Sequence, residues 1–579
     1  MSWRPGRDRC AGRHQSPGSG WPGKADSSAP GHRLPPLSHD GVVVVGGGIA
    51  GLAAATALVE RGVPVTVVER EETLGGRVRA WPVALPDGTT ASMSRGFHAF
   101  FRQYYNLRAL LRRADPALER LRPLADYPLQ LAGGPRDSFA RIPKTPPWSV
   151  AAFVARSPSF PLSALAEVDV RAALGLLDVD FPATFAEYDG VSAAQVLDGL
   201  CFPEQARHLA LEVFARSFFA DPREFSGGEL MAMFHAYFVG SSEGLLFDVP
   251  DDDYDTALWR PMAAYLRSRG ARILTGTTVQ TMERVETVKR VQDGGNGRYA
   301  GVPGPLQLTL SGRGEGGRLT ADALVLAVDR AGLQDLVAGA PWLGDDDWRQ
   351  RLAALAPAPA FAVWRLWLDR PTRPGAPPFL GTSGYGALDN VSFVDQFEDG
   401  AARWARACGG CVVELHAYAL PGAGGEAGGA GRGVAGEAGA AGDAGCAGGA
   451  GEGGLRAELR RQLHRLHPEL RNARVRHEEW LVRADCPLAG LDPWALRPGV
   501  GTPDPRVVLA GDGIRCDYPV ALMERAATTG WLAANTLLDR WGLPGHDLWT
   551  VPMTGRVPGI RALRARMPVA ALAPGSARP

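Results

Sequence analysis

The run Val42-Val43-Val44-Val45-Gly46-Gly47-Gly48-Ile49-Ala50-Gly51-Leu52 constrains this 579-residue chain more than any other segment. Four β-branched residues predict a buried strand, and the residues from Leu52 to Glu60 predict a helix directly after a tight turn. Gly46, Gly48 and Gly51 stand in the order G-x-G-x-x-G. The first glycine makes the turn, the second lets the backbone reach a pyrophosphate, and the third lets helix and strand pack closely. Ile49 and Ala50 complete the turn, where the helix start offers free N–H groups and a positive dipole end to the anion. A second strand, Val65 to Val68, ends in Glu69, a carboxylate suited to an adenosine ribose, followed by Arg70. The uncharged stretch Val42 to Val59 has the length of a membrane span. Its glycines, and the second strand closing on Glu69, fit a nucleotide-binding β-α-β unit better.

After Glu69 come Leu74-Gly75-Gly76-Arg77, and near the other end the strand Val507-Val508-Leu509 leads into Ala510-Gly511-Asp512. Tyr518-Pro519, Met523-Glu524 and Gly530 then follow in the order P-x-x-x-M-E-x-A-x-x-x-G. With these segments the chain resembles the flavin-containing amine oxidase and carotenoid desaturase superfamily. The resemblance implies FAD as cofactor, held by the glycine turn, Glu69, Arg70, Gly75, Gly76, Gly511 and Met523-Glu524. It puts Arg77 close to the pyrophosphate and Asp512 on the ribityl hydroxyls. Where the family pattern has glycine after Met-Glu, this chain has Arg525.

The fold class expected is α/β: a Rossmann-like FAD-binding domain of the amine oxidase/phytoene desaturase type with an inserted α+β substrate domain. Residues 41–128, 260–345 and 480–545 are assigned to a discontinuous FAD domain, in which 271–274 and 323–328 read as further strands. Residues 129–259, read as mostly helical, and 346–479 are assigned to the substrate domain. Phe361 to Leu368 and Val412 to Ala419 read there as strands. Residues 1–40, rich in Pro, Gly, Ser and Arg, read as a disordered tail without signal peptide or anchor. Residues 421–454, nearly all Gly and Ala, read as a flexible insert, and 546–579 as a C-terminal tail. A formal net charge of zero gives no reason to expect nucleic acid as a partner. Seven scattered cysteines form no disulfide framework, which points to a reducing cytoplasm, and no metal site is read from them.

The segment Arg95-Gly96-Phe97-His98-Ala99-Phe100-Phe101-Arg102-Gln103-Tyr104-Tyr105-Asn106-Leu107-Arg108 concentrates aromatic residues directly after the FAD elements. Phe97, Phe100, Phe101, Tyr104 and Tyr105 suit a wall against a flat apolar ligand, or equally a packed core junction. This segment, with Glu229 to Phe238 and Ser242 to Pro250, is similar to the isorenieratene synthases, a family of carotenoid ring desaturase/methyltransferases. The likeness runs from Gly41 to Leu543, apart from the Gly/Ala insert. It implies oxidation of the β-ionone rings of β-carotene to aromatic rings, with a methyl moving within the ring and no external methyl donor. His98 and Glu524 are the candidate proton acceptors. Without a second G-x-G-x-x-G, electrons are expected to leave through a diffusible acceptor such as oxygen or a quinone. A carotenoid substrate further implies a cytoplasmic enzyme docked peripherally on the membrane, with Pro146 to Val154 one candidate contact. Linear-carotene desaturation, carotenoid isomerisation, amine oxidation and a non-enzymatic flavoprotein use the same scaffold and remain as alternatives. Only three lysines, Lys24, Lys144 and Lys289, are present for the role a lysine plays in amine oxidases.

Overall fold

A computed structural model describes residues 12–14, 37, 40–126, 128–140, 148–160, 168–202, 219–291, 298–312, 317–420, 451–557 and 559–567. Five strands form an all-parallel sheet in the order Arg272–Leu274, Val65–Val68, Val42–Val45, Ala323–Leu326 and Val507–Leu509. The valine-rich strands are buried on both faces, as a parallel sheet requires. Alternation divides each strand between two cores. Val42 and Val44 point to the side of helix Ile49–Val59, while Val43 and Val45 join Leu306, Leu308 and Leu336 on the other. Helix Ile49–Val59 is buried on all sides and is crossed by helix Leu522–Arg540. The crossing is close because Gly530 lies against Ala50, where a β-carbon would stand 2.2 Å from the Ala50 carbonyl oxygen. A three-stranded antiparallel sheet, Thr277–Val291, Arg298–Gly312 and Arg318–Ala321, covers the second face, and the sequence reading did not foresee it.

The second large layer is a seven-stranded sheet ordered Val475–Arg483, Ala360–Leu368, Cys411–Leu420, Asn390–Phe393, Phe379–Ser383, Leu129–Leu131 and Arg136–Asp137. All its pairings are antiparallel except Phe379–Ser383 with Leu129–Leu131. Period two again sorts the side chains. Ala362, Trp364, Leu366, Val413 and Leu415 pack towards helix Glu452–Leu466, while Phe361, Val363, Arg365, Glu414 and His416 face the other way. That other face and the C-terminal ends of the parallel strands border the same cavity.

Several boundaries differ from the sequence reading. The stretch 129–259 opens with two strands of the seven-stranded sheet before its helices begin. Val475–Arg483 is one strand of that sheet, so residues 480–483 lie in this layer and not in the nucleotide layer. Gly12–His14, in the expected disordered tail, pairs antiparallel with Leu548–Thr550. The expected C-terminal tail also folds further, into helix Ile560–Arg566. Residues 421–450 of the insert lie outside the described residues, and the helix after them begins at Glu452.

Candidate functional site

At the C-terminal ends of the parallel strands lies a cavity of about 780 Å³, the crevice where open α/β sheets bind ligands. Each glycine of the turn has a distinct constraint. Gly46 has φ +106°, and a β-carbon there would meet the Ala327 carbonyl oxygen at 2.4 Å. At Gly51 it would stand 1.9 Å from the Gly46 oxygen, so this residue sets strand-to-helix packing and does not line the cavity. At Gly48 it would meet nothing nearer than the Gly76 Cα at 3.6 Å, and the backbone lies open to the cavity. No side chain caps the helix that starts at Ile49, so its first N–H groups are free to bind an anion.

The surrounding residues complete a dinucleotide cradle. Glu69 is buried, accepts the Gly47 amide at 2.6 Å and the Glu71 amide at 2.9 Å, and its pKa is raised by that burial. It therefore braces the glycine turn as well as lining the cavity. Gly75, φ +106°, packs against the Trp259 indole, whose N–H donates to the Val78 carbonyl at 2.6 Å. This fixes the Gly75–Gly76–Arg77 crossing under the cavity. Arg77 forms an ion pair with Asp512 across it, and both line the cavity with Gly511 and Met523. Arg70 is more than half exposed and reaches Asp329 at 2.8 Å. The free helix N-terminus, the open backbone at Gly48, the acid Glu69 and the Arg77–Asp512 pair together suit a pyrophosphate with a ribose and a polyol on either side.

The aromatic segment divides in two. Phe97, His98, Phe101 and Tyr104 line the cavity; Phe100 and Tyr105 do not. Phe100–Phe101 is a strand paired with Phe247–Pro250, so successive side chains take opposite faces. Phe100 is 0% exposed and lies in the core near Tyr254. Tyr105 is buried with its hydroxyl 2.9 Å from that of Ser241, and the Tyr104 hydroxyl meets that of Tyr237 at 2.5 Å. Sequence reasoning missed the facing rings. Phe379 stacks at a tilt on Phe97 with centroids 4.4 Å apart, and Phe219 contacts both Phe361 and Tyr418 at 4.9 Å. These come from segments far apart in sequence, Phe379 from a buried strand and Phe219 from a turn, and no motif marked either.

The two candidate proton acceptors fare differently. His98 donates from Nδ1 to the Gly96 carbonyl at 2.8 Å, which leaves Nε2 with the lone pair. Burial lowers its pKa to about 4, so the ring is neutral near pH 7. Glu524 does not line this cavity. Its oxygens accept the Asn106 and Leu107 amides at 2.8 and 2.9 Å, capping helix Tyr105–Leu111, and burial raises its pKa to about 8. Its side chain is thereby committed to holding the aromatic segment on helix Leu522–Arg540. Arg525 pairs with the buried Glu229, which Arg497 also contacts at 3.0 Å, and donates to the Val520 carbonyl. Of the candidate membrane segment, Pro146 and Pro147 lie outside the described residues. In helix Trp148–Arg156, Trp148 is 67% exposed, whereas Phe153 is buried and stacked on Phe139 at 5.0 Å. Among the described residues no helix is long and apolar enough to cross a membrane, and no lysine lines the cavity.

The flavin-containing amine oxidoreductase model matches residues 49–538, and the chain belongs to that family. It is accordingly an FAD-dependent oxidoreductase of amine oxidase fold. Within the family it is 53% identical over 528 residues to a carotenoid phi-ring synthase of Streptomyces griseus, covering 90% of this chain and 92% of the relative. A carotenoid phi-ring synthase of Chlorobaculum tepidum is 27% identical, with 89% and 90% covered. The resemblance carried by Arg95 to Arg108 is thus borne out. Cyclohexylamine oxidase from Brevibacterium oxydans shares the fold, with a TM-score of 0.58 at 15% identity over 87% of this chain and all of that one.

Proposed function

We propose that this chain converts the β-ionone rings of β-carotene to trimethylphenyl rings, by desaturation coupled to a methyl shift within each ring. The observation that carries the reading is the continuity of one cavity from the Gly46–Gly51 turn to the wall of Phe97, Phe101 and Phe379, in a chain 53% identical to a carotenoid phi-ring synthase. FAD, when bound, supplies hydride acceptance. The chain's own residues hold the ring, exclude water and take up protons. Each desaturation removes one hydride and one proton, and the methyl moves from the gem-dimethyl carbon to its neighbour while the ring is cationic. Aromatic faces steady such a cation by about 0.5–2 kcal/mol each. His98, neutral and with Nε2 unprotonated, is suited to accept a ring proton. Reoxidation is assigned to a diffusible acceptor, oxygen or a quinone. Because a C40 hydrocarbon resides in the bilayer, the enzyme docks peripherally on the cytoplasmic membrane, and the exposed Trp148 supports helix Trp148–Arg156 as a contact.

The test is pigment analysis by chromatography and mass spectrometry in a β-carotene-producing host expressing the chain. Products with aromatic rings, lighter by two hydrides and two protons per ring converted, are expected. Unchanged β-carotene beside FAD-loaded protein refutes the reading and turns attention to linear carotenes, then amines.

A further inference from the structure

Strand Cys411–Leu420 carries Glu414, His416 and Tyr418 at a spacing of two, on the sheet face turned to the cavity, and the steps above leave all three unused. His416 and Tyr418 line the cavity, and Glu414 is fully buried behind them. Glu414 sits opposite Arg365 of strand Ala360–Leu368 and accepts from its Nε at 2.9 Å, while Glu398 lies 3.3 Å from the same guanidinium. Burial pushes the Glu414 carboxyl up, but Arg365 and His416 outweigh it and hold the pKa at about 2.

That ionised carboxylate lies 2.7 Å from His416 Nε2, much nearer than the Phe97 amide N–H that points at the same nitrogen from 3.3 Å. The carboxylate therefore decides the tautomer: the imidazole proton is on Nε2 and Nδ1 is left as an acceptor. The Tyr418 hydroxyl donates to Nδ1 at 2.6 Å, and Asn390 Nδ2 donates to the same hydroxyl at 2.8 Å. Gly96 makes the arrangement possible. With φ +104° it lets the chain lie on the imidazole, where any β-carbon would stand 2.5 Å from Cε1. The aromatic segment beginning at Gly96 is thus fitted directly over His416. The Tyr418 ring lies edge-on to Phe219, while its hydroxyl is held between His416 and Asn390 at the cavity wall.

We propose that Tyr418 is a second proton acceptor for ring oxidation, acting through His416, with Glu414 as a positioning residue. This rests on the ring-oxidation reading given above. A C–H bond of the cationic ring breaks, and its electron pair becomes the new C=C bond. The proton goes to Tyr418 Oη as Tyr418's own proton passes to His416 Nδ1. His416 becomes an imidazolium beside the Glu414 carboxylate and returns the proton to water through Tyr418 after product leaves. A phenol is a weak base, but a ring cation is a strong enough acid to need no more. Two protons leave each ring, and His98 and Tyr418 give the cavity two acceptors for them.

The experiment compares wild-type and Tyr418→Phe holoenzymes on β-carotene in phospholipid vesicles, together with ¹⁵N-histidine NMR. The substitution removes one oxygen, and FAD content and KM should not change. Expected are a fall in kcat of about 10²-fold or more and a His416 signal of the Nε2–H tautomer that shifts in the variant. His416→Gln should lower kcat in the same way. Wild-type kcat in Tyr418→Phe, or His416 protonated at Nδ1 alone, overturns the relay. Unchanged β-carotene with the wild-type holoenzyme instead overturns the ring-oxidation reading, and the relay's role with it, whatever the tautomer.

Discussion

Two glycines of one motif should fail in opposite ways when each is replaced by alanine. At Gly51 the new β-carbon would stand 1.9 Å from the Gly46 carbonyl oxygen and 3.2 Å from Val44 Cγ1, inside the buried β-α-β unit. Backbone cannot yield there as a flexible side chain can, so Gly51→Ala should cost at least the 1–3 kcal/mol typical of overpacking, about 3 kcal/mol. At Gly48 the backbone is extended, φ −78° and ψ −178°, which alanine adopts without strain, and the β-carbon meets only Gly76 Cα at 3.6 Å. There the loss of unfolded-state freedom should leave the FAD-stripped protein as stable as wild type, or about 0.4–1 kcal/mol more stable. The methyl, however, enters the gap through which the turn approaches the pyrophosphate. Urea unfolding of the stripped proteins measures the first effect, and titration with FAD by calorimetry the second. Gly48→Ala binding FAD with wild-type affinity would show that the backbone at Gly48 is not the point of close approach.

Other residues offer similarly sharp contrasts. Phe100→Ala should destabilise the fold by about 3–5 kcal/mol with KM for carotenoid unchanged in the protein that remains folded, whereas Phe101→Ala should raise KM at little cost in stability; steady-state kinetics beside thermal melts separate them. Glu524→Gln should keep turnover, while His98→Gln should lose it, and equal loss in both would restore Glu524 as a proton acceptor. Folding raises the Glu524 pKa from 4.5 to about 8, so the folded protein holds a proton that the unfolded chain releases. Its contribution to stability therefore declines as pH rises from 4.5 through about 8, and Glu524→Gln should flatten that part of the stability–pH curve measured by urea titration. Trp148→Asp should reduce flotation of the holoenzyme with anionic liposomes, and unchanged flotation removes this helix as the contact.

How much of this was legible in the sequence follows the range of the interactions concerned. The glycine turn, Glu69 and the strand before Asp512 were readable because one short segment contains both the pattern and its cause. Phe100 and Phe101 were read together as wall residues, since composition cannot tell which face of a two-residue strand meets the cavity until Phe247–Pro250 pairs with it. Glu524 looked catalytic by family position, yet the fold brings the amides of Asn106 and Leu107 onto its carboxylate across more than four hundred residues of chain. Glu414, His416 and Tyr418 did leave a signal, polar residues at every second position of an apolar strand. Arg365 and Gly96, which give that signal meaning, arrive from other elements.

The order of strands in the parallel sheet also governs how the molecule can be made. Its first strand leaves the ribosome with residue 45, but the last, Val507–Leu509, and the helix that covers Ile49–Val59 come more than four hundred and fifty residues later. Until then helix Ile49–Val59, apolar apart from Thr56, has no partner for the side that Gly530 will cover. Such distant pairing makes for slow folding and long exposure of sticky intermediates. Cofactor loading must therefore be post-translational, and a nascent chain stalled anywhere before helix Leu522–Arg540 is a substrate for chaperones and proteases.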